Sequence, residues 1–165
     1  MRTLTARAWP PGRRSAPMTP VIRKAVPADL VALLELYRQL DGVPEATPAA
    51  EAEEAYAALL AMPSATVLVA EHESRIAGTI TTVVVPNLTH RAQPWAQFEN
   101  MVVDAGVRGA GIGHALMRDA LRRAREAGCY KVQLQSRNER IDAHRFYERE
   151  GFRVTSAGFR LYFDG

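Results

Sequence analysis

Residues 108–113 read Arg-Gly-Ala-Gly-Ile-Gly and lie between a strand-like run and a helix-like run. Glycines in such a connection let the backbone curl so that successive N–H groups converge on one spot, beside the positive end of the next helix. That geometry binds a phosphate. Two nucleotide loops are excluded by single residues. A dinucleotide fingerprint requires a third glycine where His114 stands, and a Walker loop requires a lysine after its final glycine, where Ile112 or His114 stands. A merely flexible connection is the plain alternative. The other side chains capable of chemistry are dispersed. Glu99 precedes the loop and Tyr147 follows it, His114 and His144 read as surface or supporting residues, and Cys129 reads as a small buried side chain after Gly128.

The elements that must position these residues are readable from periodicity and punctuation. Val21 to Ala25 reads as a short strand. Pro27 opens a helix whose apolar positions Leu30, Leu33, Leu34, Tyr37 and Leu40 recur with helical spacing as far as Asp41-Gly42. Thr47 caps a second helix, with Pro48 as its first residue, that stops at Pro63. Residues 66–71 and 76–85 are rich in β-branched side chains, and the polar stretch His72 to Arg75 between them predicts a hairpin. A loop from Pro86 to Pro94 leads into a strand from Trp95 to Asp104. The helix after the glycine loop, Ile112 to Ala127, carries an apolar stripe of Ile112, Leu116, Met117, Ala120, Leu121 and Ala124 and ends at Gly128. Tyr130, Val132 and Leu134 alternate with polar residues as a strand. A last helix spans Ile141 to Glu150, and Phe152 to Val154 with Phe159 to Phe163 reads as a terminal hairpin. This order belongs to an α/β layered domain.

The chain has 165 residues, 47% hydrophobic and 24% charged, enough for one domain that needs neither disulfides nor metal clips. One cysteine excludes an internal disulfide and a Cys-based metal cluster and points to a reducing compartment, hence the cytoplasm. No apolar run approaches the roughly 18 residues that suggest a membrane span. Residues 1–19 combine prolines, Gly12 and four arginines without an acid, the composition of a disordered tail, read either as an extension upstream of Met18 or as a transit peptide; residues 20–165 form the domain. The formal net charge of +3 suggests an anionic partner, yet residues 21–165 hold 17 basic and 18 acidic groups. Residues 21–104 hold 5 basic and 11 acidic groups, and residues 105–165 hold 12 and 7, so the two halves are expected to meet different ligands. Arg118, Arg122, Arg123 and Arg125 read as a solvated helix face rather than a nucleic-acid surface.

The strand Phe98 to Asp104, the loop, Asn138 and the run from Ala143 to Phe152 together make a constellation that resembles the GNAT superfamily of N-acetyltransferases, over roughly residues 20–163. Its acetyl-CoA signature is Arg or Gln, two residues, Gly, one residue, then Gly or Ala, matched by Arg108, Gly111 and Gly113. A second pattern, alanine four residues before tyrosine and then glycine-phenylalanine, is matched by Ala143, Tyr147, Gly151 and Phe152. The resemblance implies a GNAT-type acyl-CoA N-acyltransferase fold, a mixed central β-sheet flanked by about four helices. It implies that the amides of Arg108, Gly109, Ala110, Gly111, Ile112 and Gly113 hold the CoA pyrophosphate. The backbone of Met101, Val102 and Val103 would pair with the pantetheine arm. Asn138 matches a pantetheine contact, though it could equally cap the last helix.

Acetyl transfer to an amine needs a neutral nucleophile, a polarised carbonyl and a protonated leaving thiolate. An alkyl amine with a pKa of about 10 must therefore lose a proton on the enzyme. The resemblance offers Glu99 as the base, directly or through water, and Tyr147 as the acid. It offers a backbone N–H of Met101 or Val103 as the donor to the carbonyl. It builds the acceptor pocket from the first two helices and the loop before the central strand, here with Tyr37, Leu40, Asp41, Asn87, His90, Arg91 and Trp95. Acidic balance there attracts a cationic amine, while His90 and Arg91 suit a carboxylate. The expectation is an acetyl-CoA-dependent N-acetyltransferase acting on a small-molecule amine through a ternary complex, as a homodimer, with no metal, nucleic-acid or membrane partner. A protein or peptide acetyltransferase and a non-catalytic acyl-CoA sensor are the alternatives.

Overall fold

The computed structural model describes residues 19–40 and 47–163. Five strands form one sheet in sequence order: β1 (Val21–Lys24), β2 (Ala65–His72), β3 (Arg75–Val85), β4 (Trp95–Val103) and β5 (Val132–Leu134). Each of the first four runs antiparallel to its neighbour, and β5 runs parallel to β4. Four helices accompany them: α1 (Leu30–Tyr37), α2 (Ala49–Ala61), α3 (Ile112–Glu126) and α4 (Ile141–Arg149). The mixed sheet and helix count agree with the fold expected from the resemblance.

The sheet separates two apolar clusters. On one face α3 lays Ile112, Leu116, Met117, Ala120 and Ala124 against Leu68, Ile80, Ala96 and Phe98, all buried. Burying each larger side chain of this stripe contributes roughly 1.5–3 kcal/mol. On the other face Leu33 of α1 and Tyr56 of α2 cover Val67 and Val69. The β2–β3 hairpin turns through Glu73 and Ser74 alone, both at positive φ, the two-residue turn whose twist matches its strands. The strands are thus longer than their apolar runs, extending through His72 and Arg75.

Both long-range helix stops follow one design. At the end of α3, Cys129 N–H donates to Ala124 O and Gly128 N–H to Arg125 O, with Gly128 at φ 76. At the end of α4, Phe152 N–H donates to Tyr147 O and Gly151 N–H to Glu148 O, with Gly151 at φ 93. This is the Schellman termination, which brings the residue after the glycine onto the last turn. Phe152 accordingly packs edge-on to Tyr147, ring centroids 6.1 Å apart.

Three expectations need correcting. Pro27–Asp29 forms a 3₁₀ turn and α1 begins at Leu30, because the Asp29 carboxylate accepts the Val26 N–H and two guanidinium bonds from Arg23. Pro48 is extended and precedes α2, so Thr47 is not its cap. No strand forms within residues 152–163, and Phe159, Leu161, Tyr162 and Phe163 are exposed. Residues 1–18 and the Asp41-Gly42 helix stop lie outside the described residues.

Candidate active site

The site begins where β4 and β5 part. They pair at Ala96–Val132, Gln97–Gln133 and Phe98–Leu134 only, while β4 continues to Val103. On its other side β4 carries a bulge: register with β3 jumps from Thr81–Glu99 to Thr79–Val102, and Asn100 stands at φ 52. Two residues, Asn100 and Met101, therefore oppose one residue of β3. The bulge resets the alternation of side chains. Ala96 and Phe98, then Met101 and Val103, join the α3 side of the core, whereas Glu99 shares its face with Thr81. The segment from Glu99 to Val103 thus presents an edge to β5 that no strand of β5 occupies. An extended ligand arm can pair there as an added strand.

A cleft of about 1310 Å³ runs along that edge. Met101, Val102, Val103, Arg108, Gly109, Gly111, Ile112 and Gly113 all line it. Gly109 and Gly111 sit at φ 85 and 80, left-handed conformations that a side chain at either position would strain. Gly111 occupies the N-cap position of α3, so the first N–H groups of a 15-residue helix open on the cleft. Ala110 belongs to the same turn but does not line the cleft, and neither does Asn138, which is exposed between β5 and α4. Arg140, not Asn138, holds the N-cap position of α4.

Tyr147 lines both this cleft and an adjoining one of about 190 Å³, whose wall also includes Glu99, Met101, Gln135 and Arg140. The two candidate proton-transfer groups are thereby brought together. Burial pushes the Tyr147 hydroxyl above the usual tyrosine range, with the Arg140 charge opposing and the Glu99 charge reinforcing that rise. The phenol keeps its proton at neutral pH, as a donor must. Glu99 Oε1 accepts from Gln97 Nε2 at 2.6 Å, and Gln97 Oε1 from Gln133 Nε2 at 3.0 Å, a ladder that orients the carboxylate.

The expected acceptor residues are not gathered equally. Tyr37 is half-buried beside Thr79 and Thr81, on the face that Glu99 shares through its register with Thr81. It lines neither cleft, although Gln39 and Leu40, just beyond α1, do. His90 and Arg91 belong to a short turn, Thr89 to Ala92, with three successive positive φ values at His90, Arg91 and Ala92. The His90 ring stacks on Tyr130 at 4.1 Å, and Lys131 sits 5.5 Å over the Trp95 ring. That cluster lies at the start of β4, about 13 Å of strand from Glu99, and lines neither cleft.

Residue-by-residue reading missed Gln39. Its side chain donates to Asp104 Oδ2 at 3.2 Å and accepts the Ala105 N–H at 2.9 Å, tying the end of α1 to the approach to the glycine turn. Nothing in the local sequence signals a contact spanning 65 residues. The bulge did leave a signal: Asn100 stands where the alternation of Ala96 and Phe98 calls for an apolar residue. His114, read as a supporting residue, pairs Nδ1 with Glu150 Oε1 at 2.8 Å and so joins α3 to α4 across the larger cleft. Arg122 and Arg123 pair with Asp119, and Arg122 also with Glu126, the pattern of a solvated helix face. Among the described residues no group of His, Cys, Asp and Glu could hold a metal ion, and no helix is long and apolar enough to cross a membrane.

Comparison with known proteins agrees with this geometry. Residues 30–152 match the acetyltransferase (GNAT) family. Glucosamine 6-phosphate N-acetyltransferase of Trypanosoma brucei brucei is 38% identical over 87 residues, 53% of this chain and 57% of that relative's length. Probable glucosamine 6-phosphate N-acetyltransferase 2 of Oryza sativa subsp. japonica is 35% identical over 133 residues, 78% of each chain. A solved structure from Agrobacterium tumefaciens str. C58 that carries an acetyltransferase name superposes with a TM-score of 0.82 at 38% identity, covering 87% of this chain and 99% of its own. With an open β4 edge beside a left-handed glycine turn, and a family match across most of the sequence, the chain belongs to the acetyltransferase (GNAT) family.

Proposed function

We propose that this protein transfers an acetyl group from acetyl-CoA to the primary amine of a small molecule, by direct attack within a ternary complex. The observation that carries the reading is the confluence of the two clefts at Tyr147, with Glu99 also lining the smaller one. The larger cleft fits acetyl-CoA in the chemistry of its walls: an unpaired strand edge suits an amide-rich arm, and a glycine turn at a helix N-terminus suits a pyrophosphate. Bound there, acetyl-CoA supplies an activated acyl thioester. Arg108 to Gly113 hold its phosphates and Met101 to Val103 hold its arm. Glu99, oriented by Gln97, receives the amine proton, and Tyr147 holds a proton available to the departing sulfur. A backbone N–H of Met101 or Val103 stabilises the oxyanion. The names of the two glucosamine 6-phosphate relatives make a phosphorylated amino sugar the first acceptor to test. A reducing compartment such as the cytoplasm suits the lone cysteine.

The test is release of free CoA thiol from acetyl-CoA in the presence of glucosamine 6-phosphate, other small amines and N-terminal or lysine peptides. Acetylation of a small amine supports the proposal. Acetylation of peptides alone replaces it with a peptide acetyltransferase, and acetyl-CoA binding without turnover on any amine replaces it with a sensor. Tyr147→Phe is expected to lower kcat about 100-fold or more while leaving acetyl-CoA affinity within twofold. Because the acid must be protonated and burial raises its pKa, the wild-type kcat limb that reports this group should fall only at pH above the usual tyrosine range, and the variant should lose that limb. Unchanged kcat in Tyr147→Phe removes the assigned acid.

A further inference from the structure

Glu150 is a carboxylate in an unfavourable place. It caps the C-terminus of α4, where the helix dipole disfavours an anion, and its side chain is only 10% exposed. Its Oε1 lies 2.8 Å from His114 Nδ1. His114 is the third residue of α3, so the pair sits beside the turn from Arg108 to Gly113, and both members line the larger cleft. The pairing thus brings a negative charge to the end of α3 that suits a phosphate. Phe146, one turn earlier on α4, packs against the same first turn: a Cβ at Gly113 would stand 3.5 Å from its ring. The other charged groups facing this space are Arg108 of the turn and Arg145 and Arg149 of α4, with Arg137, Glu139, Arg140 and Asp142 farther along the cleft. Asp142 pairs with Arg145, and Arg118 follows His114 one turn along α3.

We propose, on the reading that the larger cleft binds acetyl-CoA, that the ligand's phosphates draw a proton onto His114 as they bind, making His114 and Glu150 a proton-linked positioning pair. A nitrogen 2.8 Å from a carboxylate oxygen must carry the hydrogen between them. The neutral imidazole is therefore the Nδ1–H tautomer, donating to Glu150, and Nε2 is the atom that takes the proton. The side chain is 56% exposed, so the proton can come from solvent. With His114 neutral the pair is negative, and Glu150 repels a pyrophosphate held by the neighbouring turn. With His114 protonated the pair is neutral and that repulsion is cancelled. Only the Nε2–H bond forms. Because the protonated pair binds phosphate better, phosphate must by linkage favour the protonated pair. Affinity for acetyl-CoA consequently falls as pH rises through the range in which histidine ordinarily loses its proton.

Calorimetric titration of the full chain with acetyl-CoA, near neutral pH in PIPES, HEPES and Tris, reads the proton count from the dependence of the binding heat on buffer ionisation. Wild type should take up at least about 0.3 proton more per ligand than His114→Gln, a difference in which the ligand's own phosphate ionisation cancels. From about pH 6.5 to about pH 8.5 the wild-type Kd should rise about fivefold more than that of His114→Gln. Glu150→Gln keeps an oxygen for the Nδ1–H and removes the charge, so at the upper pH it should bind acetyl-CoA at least about threefold tighter than wild type. A purely structural clasp would bind more weakly when altered in this way. Equal proton uptake in wild type and His114→Gln overturns the proposal and leaves acetyl transfer standing, as does a Glu150→Gln variant that binds no tighter at the upper pH. Failure of the wild type to bind acetyl-CoA at any pH overturns both the proposal and the reading of the cleft on which it rests.

Discussion

The two adjoining clefts of the candidate site are made in different ways. The wall from Met101 to Gly113 is continuous in sequence: a strand, a glycine turn and a helix N-terminus follow one another within about a dozen residues. The smaller cleft is assembled from distant pieces, with Leu40 beyond α1, Glu99 on β4, Gln135 after β5, and Arg140 and Tyr147 at either end of α4. A continuous wall depends on backbone conformation and is carried by a few residues of special type. An assembled wall depends on tertiary contacts, so its residues are individually unremarkable in sequence. The first suits a ligand that never changes, and the second suits one that differs between related proteins.

Substitutions can separate the two. The largest effect is expected from Gly111→Val, which forces a β-branched residue to φ 80; strain of about 1–3 kcal/mol should weaken acetyl-CoA binding about 10- to 100-fold by calorimetry. If the walls are independent, the amine KM at saturating acetyl-CoA stays within threefold, and a parallel rise in both breaks the distinction. Gln39→Leu attacks the joint between them. Loss of its two hydrogen bonds, each worth about 1 kcal/mol, should raise the KM for amine and for acetyl-CoA together by about fivefold, with little change in kcat. A kcat loss without a KM change would mean that Gln39 reaches the reacting atoms. The smallest effect belongs to His90→Ala and Arg91→Ala, for which steady-state kinetics should show an amine KM within twofold of wild type. A tenfold rise would extend the assembled wall to the start of β4.

The same contrast explains what was readable beforehand. The α3 stripe came directly from helical spacing, and five of its six residues are buried, with Leu121 half-buried. The run from Ala143 to Phe152 was legible because its glycine and phenylalanine have a local job, ending α4 and bracing Tyr147. His90 and Arg91 drew attention as neighbours of β4 in sequence, but they adjoin the end of the strand remote from the bulge. Sequence adjacency does not say which end of a strand carries the chemistry. Phe159, Leu161 and Phe163 have a genuine strand pattern, and pattern alone cannot supply the neighbour with which a strand must pair. Gln39 acts across the whole domain, beyond the reach of any local rule.

The bulge at Asn100 makes β4 a strand with a phase shift. Up to Glu99 the odd positions face α1, and from Met101 onward they face α3. The side chain of residue 100 is therefore less important than the presence of a residue there. A substitution leaves the count intact. Deleting the residue would remove the bulge, with Met101 alone opposite Ile80 and Val102 still opposite Thr79, so that Met101, Val102 and Val103 would keep their faces. What it would remove is the local bend and added twist that the extra residue gives β4. In this strand one extra backbone residue, more than any one side chain, bends β4 where the open edge begins.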